Sequence, residues 1–95
     1  MVWKVKFSTR AEKNLIEILK YLKENWSLKT SKDFIAILNK KISNIKIFPY
    51  SHKSIEDRKN IRKCTVIKQI SLYYEVKKQL LLSLLSLITD RTRIS

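Results

Sequence analysis

Glycine is missing from this 95-residue chain, and proline and cysteine occur once each. Without glycine there is no Gly-rich phosphate-binding loop, and with a single proline there is no proline-rich or low-complexity linker. We therefore expect one domain over residues 1–95. The lone cysteine excludes a disulfide within the chain and is typical of a reducing compartment. With one cysteine and one histidine, the chain offers no cluster of metal ligands, so we expect neither a metal nor a cofactor.

Acidic residues are the second shortage. Eight Asp and Glu stand against 21 Lys and Arg, which gives a net charge of +13 at pH 7 and a pI near 10.1. This excess predicts a polyanionic partner such as nucleic acid or an acidic protein segment. The alternative is that scattered lysines only keep the helix surfaces solvated.

Long apolar runs are also missing. The longest, residues 80–88, is interrupted by Ser83 and Ser86, and it has about half the length that a membrane-spanning helix requires. The N-terminus alternates apolar and basic residues and lacks the apolar core of a signal peptide. These features predict a soluble, cytoplasmic protein without a membrane partner.

The chain opens with the pattern of a strand followed by a helix. Residues 2–7 alternate between apolar and basic side chains, as in a short strand. Ser8 and Thr9 can cap a helix, and Glu12 is placed for a capping box with Thr9. The apolar residues of this helix recur at three- and four-residue steps: Ala11, Leu15, Ile18, Leu19, Leu22 and Trp26.

A second helix follows directly. It starts at Ser27 or Thr30 and ends before Pro49, because the residue preceding a proline is pushed out of the helical region. Its apolar stripe consists of Phe34, Leu38, Ile42, Ile45 and Phe48. A connection this short predicts that the two helices form an antiparallel hairpin.

The rest of the chain predicts a loop and three strands. Residues 50–60 are polar without periodicity and are expected to form a loop. Period-two alternation follows in residues 61–67 and 70–76, and a turn at 77–79 leads to residues 80–88. The last segment is apolar on both sides, which is typical of a strand inside a sheet. Short connections favour an antiparallel meander.

The expected fold class is α+β in the order β-α-α-β-β-β, with the helical hairpin packed on one face of the sheet. Alternation directs Arg62 and Cys64 toward the covered face. The other face then carries Lys63, Tyr73 and Glu75. A concave, basic sheet face of this kind is the expected site of function.

Several short motifs recur in a characteristic order along the chain. They are Val5-Lys6-Phe7-Ser8 with Ala11 and Leu15, Trp26-Ser27 with Phe34, Leu38 and Ile42, Phe48-Pro49, Ile61-Arg62-Lys63, Leu72-Tyr73-Tyr74-Glu75-Val76 and Asp90-Arg91. In order and spacing they resemble the RelE/ParE superfamily of toxins from type II toxin–antitoxin systems. The resemblance covers nearly the whole chain and is closer to the ParE-like branch.

The resemblance implies a protein that inhibits bacterial growth. RelE-like members cut messenger RNA in the ribosome, whereas ParE-like members poison DNA gyrase without nuclease chemistry. In both branches a cognate antitoxin neutralises the toxin, so the implied partners are an acidic antitoxin in a hetero-oligomer and either gyrase or the ribosome with its message. The antitoxin is expected to lay a helix in a groove and a strand along a sheet edge.

The residues that the RelE-like pattern uses for cleavage are mostly replaced. Its two strand lysines correspond to Arg62 and Cys64, and its strand arginine corresponds to Ser71. The tail arginine corresponds to Arg91, and the tail tyrosine has no counterpart before Ser95. No evident general acid or base is left, which favours the ParE-like branch.

Candidate site residues follow from this comparison. If the protein were a ribonuclease with an altered site, its catalytic candidates would be Arg62, Tyr73 and Arg91. The expected target-binding residues are Arg62, Lys63, Tyr73, Arg91 and Arg93, because arginines suit phosphate or carboxylate contacts. His52 is expected to be a solvated loop residue, and Cys64 and Tyr74 are expected in the core.

Three hypotheses remain at this point. The favoured one is a ParE-like gyrase poison, which would not be an enzyme. The second is a RelE-like endoribonuclease with an altered site. The third is a basic domain that only binds nucleic acid, which would show a steep salt dependence of its affinity and no effect on growth.

Overall fold

The computed structural model describes residues 3–55, 58–78 and 80–89. Its elements are β1 (Lys4–Phe7), α1 (Thr9–Asn25), α2 (Leu28–Ile47), β2 (Ser54–Ile55), β3 (Arg58–Ile67), β4 (Ile70–Lys77) and β5 (Leu81–Thr89). The predicted α+β class is confirmed. The order gains one short strand, β2, inside the segment that was expected to be a loop.

The first helix is capped one residue earlier than the capping box implied. Ser8 has extended backbone and is the N-cap of α1. Its Oγ accepts a hydrogen bond from the Ala11 N–H at 3.0 Å and donates one to the Leu85 carbonyl at 2.8 Å. The capping box from Thr9 is therefore wrong, because only Ser8 can serve the helix and β5 together.

The second helix starts and ends as the sequence indicates. Ser27 is the N-cap of α2, and its Oγ accepts from the Thr30 N–H at 3.0 Å. The helix ends at Ile47, two residues before Pro49. The helices form the predicted hairpin, in which the Ser31 hydroxyl donates to the Leu19 carbonyl at 3.3 Å.

The strands form one mixed sheet in the order β1-β5-β4-β3-β2. β1 runs parallel to β5, and the other neighbours are antiparallel. The apolar β5 thus lies between β1 and β4, as its two-sided apolar character predicted. The parallel pair arises because the hairpin crosses over one face of the sheet before the chain returns.

The core lies between that face and the helices. Its largest fully buried side chains are Tyr74, Phe34, Ile45, Leu72, Leu82 and Leu84. At the turn into β5, Leu80 has a φ of 58°, a left-handed conformation that glycine adopts most easily. None of the helices in the described ranges is long and apolar enough to cross a membrane.

Candidate functional site

The sheet surface turned away from the helices is the first candidate site. Residues paired across neighbouring strands point to the same side of a sheet. The register joins Lys63 to Tyr73 and Tyr73 to Ser86, so these three side chains form a row. We call this surface the open face; it carries Lys6, Lys63, Tyr73, Glu75, Ser83 and Ser86.

The charges on the open face leave Lys63 available for a ligand. Lys63 is exposed and Tyr73 is half-buried beside it, as the alternation predicted. The carboxylate of Glu75 lies 3.7 Å from the Lys77 ammonium, so Glu75 forms its salt bridge with Lys77 and not with Lys63. An ammonium next to a phenol can contact a phosphate or a carboxylate and support a ring.

Ser71 departs from the simple alternation. It lies on the strand side that Tyr73 shares, yet only 2% of it is exposed. Its cross-strand neighbours are Thr65 and Ile88, and a short side chain between two larger ones is shielded from solvent. Ser71 therefore offers no group to a ligand.

Arg62 lies on the opposite side of the sheet from Lys63 and Tyr73. One Nη donates a hydrogen bond to the His52 carbonyl, and the guanidinium carbon stands 4.9 Å from the centre of the Tyr50 ring. Its Nε is buried without a hydrogen-bond partner. The structure thus does not bring Arg62 together with the other described candidates, and gives it a role in holding residues 50–52.

The side chains of His52 and Tyr74 are in contact with each other. Their rings approach edge to face at 6.3 Å, and the Tyr74 hydroxyl donates to the Pro49 carbonyl at 2.6 Å. Burial raises the pKa of Tyr74 to about 12. Burial also lowers the pKa of His52, with further lowering by the charges of Lys41 and Arg62. His52 is half-buried, so the expectation of a solvated loop histidine is wrong.

Cys64 is a core residue, as expected. It is fully buried, and burial raises the pKa of its thiol. Within the described ranges no group of three or more His, Cys, Asp or Glu is placed to hold a metal ion. The tail candidates Arg91 and Arg93 lie outside the described residues.

The helical hairpin carries a second candidate surface. One turn beyond the Leu19–Ser31 contact, α1 carries Ile16 and α2 carries Ile35, which places the two at the same level of the hairpin. Both are exposed, and so is Leu28 at the start of α2. We call Ile16, Leu28 and Ile35 the hairpin surface. Exposed apolar side chains grouped on a helix pair are typical of a protein-binding surface.

A third surface was missed from the sequence. Trp3 packs edge to face against Tyr50, with ring centres 6.1 Å apart, and Arg62 covers the Tyr50 ring. The sequence of residues 50–60 predicts only a polar loop because it has no periodicity. The available signal was the pair of aromatic residues, Phe48 and Tyr50, on either side of the only proline.

Solved structures share this architecture. A chain of the chromosomal ParDE toxin–antitoxin system from P. aeruginosa superimposes with a TM-score of 0.75 at 11% identity, covering 93% of this chain and 96% of that chain. A chain of the RelBE2 toxin–antitoxin complex from Mycobacterium tuberculosis gives 0.64 at 12% identity, with 94% and 99% covered. A chain of the E. coli DinJ-YafQ toxin–antitoxin complex gives 0.61 at 14%, with 100% of both chains covered. These likenesses show a common toxin–antitoxin fold.

The sequence identifies the family. No curated protein has a matching sequence. The family described as "ParE toxin of type II toxin-antitoxin system, parDE" matches residues 5–93, which is nearly the whole chain. The chain therefore belongs to the ParE toxin family of type II toxin–antitoxin systems.

Proposed function

We propose that this toxin arrests bacterial growth in the cytoplasm by binding DNA gyrase through its open face, without nuclease chemistry. The observation that carries the proposal is the placement of the positions where RelE-like toxins hold cleavage residues. Arg62 is tied to His52 and Tyr50, Cys64 is fully buried, and Ser71 is 2% exposed. Groups so placed cannot reach a phosphodiester.

The described part of the open face supports binding rather than cleavage. Lys63 and Tyr73 stand side by side, but the neighbouring carboxylate, Glu75, is paired with Lys77. A cation beside a phenol suits contacts to an acidic or phosphate-bearing surface. General acid–base cleavage would also need a proton acceptor within hydrogen-bond reach of the reacting hydroxyl.

The antitoxin is the second part of the proposal. The relatives above were solved as parts of toxin–antitoxin systems. The net charge of +13 and the hairpin surface together suit an acidic, amphipathic segment that lays its apolar side on Ile16, Leu28 and Ile35. Binding of such a partner would stabilise the folded toxin by mass action.

Two measurements test the choice of target. In cells that express the chain from an inducible promoter, we expect thymidine incorporation to fall within minutes while amino-acid incorporation continues. With purified gyrase, we expect the chain to block supercoiling and Lys63→Glu to weaken the block, whereas Lys20→Glu on the exposed side of α1 should leave it unchanged. Prompt loss of protein synthesis with cleaved messages would reject the gyrase proposal in favour of message cleavage. Supercoiling that persists in excess toxin would reject gyrase as the target.

A further inference from the structure

An apolar groove lies where the start of β1 meets the end of α2. It has a volume of roughly 450 Å³ and is lined by Trp3, Ile47, Phe48, Pro49, Tyr50 and Ser51. Phe48 is 65% exposed and Tyr50 is 61% exposed. We call it the Trp3–Tyr50 groove. It is separate from the open face and from the hairpin surface.

The backbone of residues 48–51 and the Tyr50 ring are held in place. The Pro49 carbonyl accepts from the buried Tyr74 hydroxyl at 2.6 Å, and the Phe48 carbonyl accepts from the Ser51 hydroxyl at 2.8 Å. Arg62 stacks on Tyr50. A surface whose backbone is fixed before binding loses less conformational entropy when a partner arrives.

The composition of the groove is that of a protein-binding hot spot. Trp, Tyr and Arg are the residues that most often carry binding energy in interfaces, and Tyr50 contacts both Trp3 and Arg62 here. Leaving Ile47 and Phe48 in water is unfavourable. A partner that covers these two side chains is therefore favoured by the burial of their apolar surface.

The surroundings of the groove are positively charged. The Lys46 carbonyl accepts from the Trp3 N–H at 2.9 Å, so Lys46 stands at the edge of the groove. Lys41 and Arg62 both lower the pKa of His52, which directly follows Ser51. Within the described ranges the single salt bridge joins Lys77 to Glu75, on the open face. Lys41, Lys46 and Arg62 therefore form no salt bridge within the described ranges.

The ring arrangement favours a peptide over a nucleic acid. Stacking of a base needs a free ring face. Arg62 covers one face of the Tyr50 ring at 4.9 Å. The planes of the Trp3 and Tyr50 rings are 84° apart, so the two rings cannot stack on a base from both sides. The remaining lining is Ile47, Phe48, Pro49 and Ser51, which suits an aliphatic or aromatic side chain.

We propose that the Trp3–Tyr50 groove binds an acidic peptide segment of a partner protein. An apolar side chain of the segment sits against Phe48 and Tyr50, and its carboxylates face Lys46 and the cations near His52. The inference goes beyond the gyrase proposal and does not depend on it, because the groove and the open face are different surfaces.

Fluorescence of the native tryptophan tests the proposal. The chain has two tryptophans, and Trp26→Phe leaves Trp3 in the groove as the sole reporter. The probe is a short acetylated peptide of glutamates and leucines around one phenylalanine. We expect it to shift the Trp3 emission saturably, with an affinity that falls as salt is added. A peptide with lysines in place of glutamates, and one with alanines in place of the apolar residues, should not bind.

Matched variants in the Trp26→Phe background locate the site. Phe48→Ser should weaken binding about tenfold, as loss of an interface anchor does. Ile37→Ser removes another exposed apolar residue, 38% exposed, from the middle of α2 and should bind like the parent. Lys46→Glu should weaken binding and Lys20→Glu should not.

Either of two results would overturn the inference. Equal affinity of Phe48→Ser and Ile37→Ser would place the peptide elsewhere. Tighter binding of a single-stranded thymidine oligonucleotide, with quenching of Trp3, would make the groove a nucleic-acid site. Circular dichroism of each variant shows whether the fold is retained. None of these readouts measures growth or gyrase, so the two proposals fail separately.

Discussion

At the scale of single residues, Tyr74 links the sheet to the segment that follows α2. Its buried hydroxyl donates to the Pro49 carbonyl at 2.6 Å. Tyr74→Phe would leave that carbonyl unpaired, and we expect it to lower the free energy of unfolding by about 1–3 kcal/mol. Urea unfolding at neutral pH measures the loss. Tyr73→Phe, one residue earlier on the open face, is the matched control and should cost less.

Tyr74 also predicts a loss of stability in alkali. Its pKa rises from an ordinary value of 10.0 in the unfolded chain to about 12 in the folded one. The unfolded chain therefore releases this proton first, and stability falls as the pH rises from 10 toward 12. The fall should be smaller in Tyr74→Phe. An identical alkaline profile in the two proteins would contradict the assignment.

His52 predicts a loss of stability as the pH falls. Burial, together with Lys41 and Arg62, lowers its pKa from an ordinary value of 6.5. Below that value the unfolded chain takes up a proton that the folded chain resists, so stability is lost as the pH falls. His52→Gln should lose less stability than the wild type between pH 7.5 and 5.5 in urea unfolding. A steeper loss in the variant would show that His52 is charged in the folded protein.

At the scale of elements, the junction between β1 and α1 depends on Ser8. One hydroxyl caps the helix at Ala11 and bonds the Leu85 carbonyl of β5. We expect Ser8→Ala to lower the free energy of unfolding by about 1–2 kcal/mol. Thr9→Ala, the adjacent exposed position, should change it little. If the Thr9 variant were the more damaging one, the cap would lie one residue later than the structure places it.

The helices and the three long strands could be read from the sequence because each repeats a period over many residues. The stripes of α1 and α2 and the alternation of Cys64, Leu72 and Tyr74 report burial. The last residue of each stripe is the exception, because Trp26 and Phe48 follow the helix ends and are 67% and 65% exposed. β2 could not be read, since two residues carry no period and Ser54 is polar. The parallel pairing of β1 with β5 also lies beyond local pattern, because it depends on how the hairpin crosses the sheet.

The candidate site was predictable only where a side chain's direction follows from strand alternation. Lys63 and Tyr73 share the open face for that reason. Arg62 was placed among the target-binding residues by its charge, although the same alternation directs it inward. Its contact with Tyr50 joins a strand to a turn without periodicity, and only the packed structure reveals it.

At the scale of the whole molecule, the proposed antitoxin-binding and gyrase-binding surfaces lie on different layers, the helices and the sheet. The shortest dimension is 22 Å, which corresponds to one helix layer on one sheet, each about 10 Å thick. The hairpin surface lies on one side, and the open face lies on the other. A partner on the helices therefore does not have to touch Lys63 or Tyr73 to control the toxin.

This separation predicts two classes of variant. Lys63→Glu combined with Tyr73→Ala should abolish growth arrest and still co-purify with the antitoxin. Ile16→Asp combined with Ile35→Asp should arrest growth as the wild type does but escape neutralisation, because two carboxylates on the hairpin surface repel an acidic helix and remove its apolar contacts. Growth of cells with separately induced toxin and antitoxin measures both effects, with Lys68→Glu in the exposed β3–β4 turn as the control. If the Ile16 and Ile35 variant, folded by circular dichroism, were neutralised as well as the wild type, the antitoxin would bind elsewhere, and the Trp3–Tyr50 groove would be the next surface to mutate.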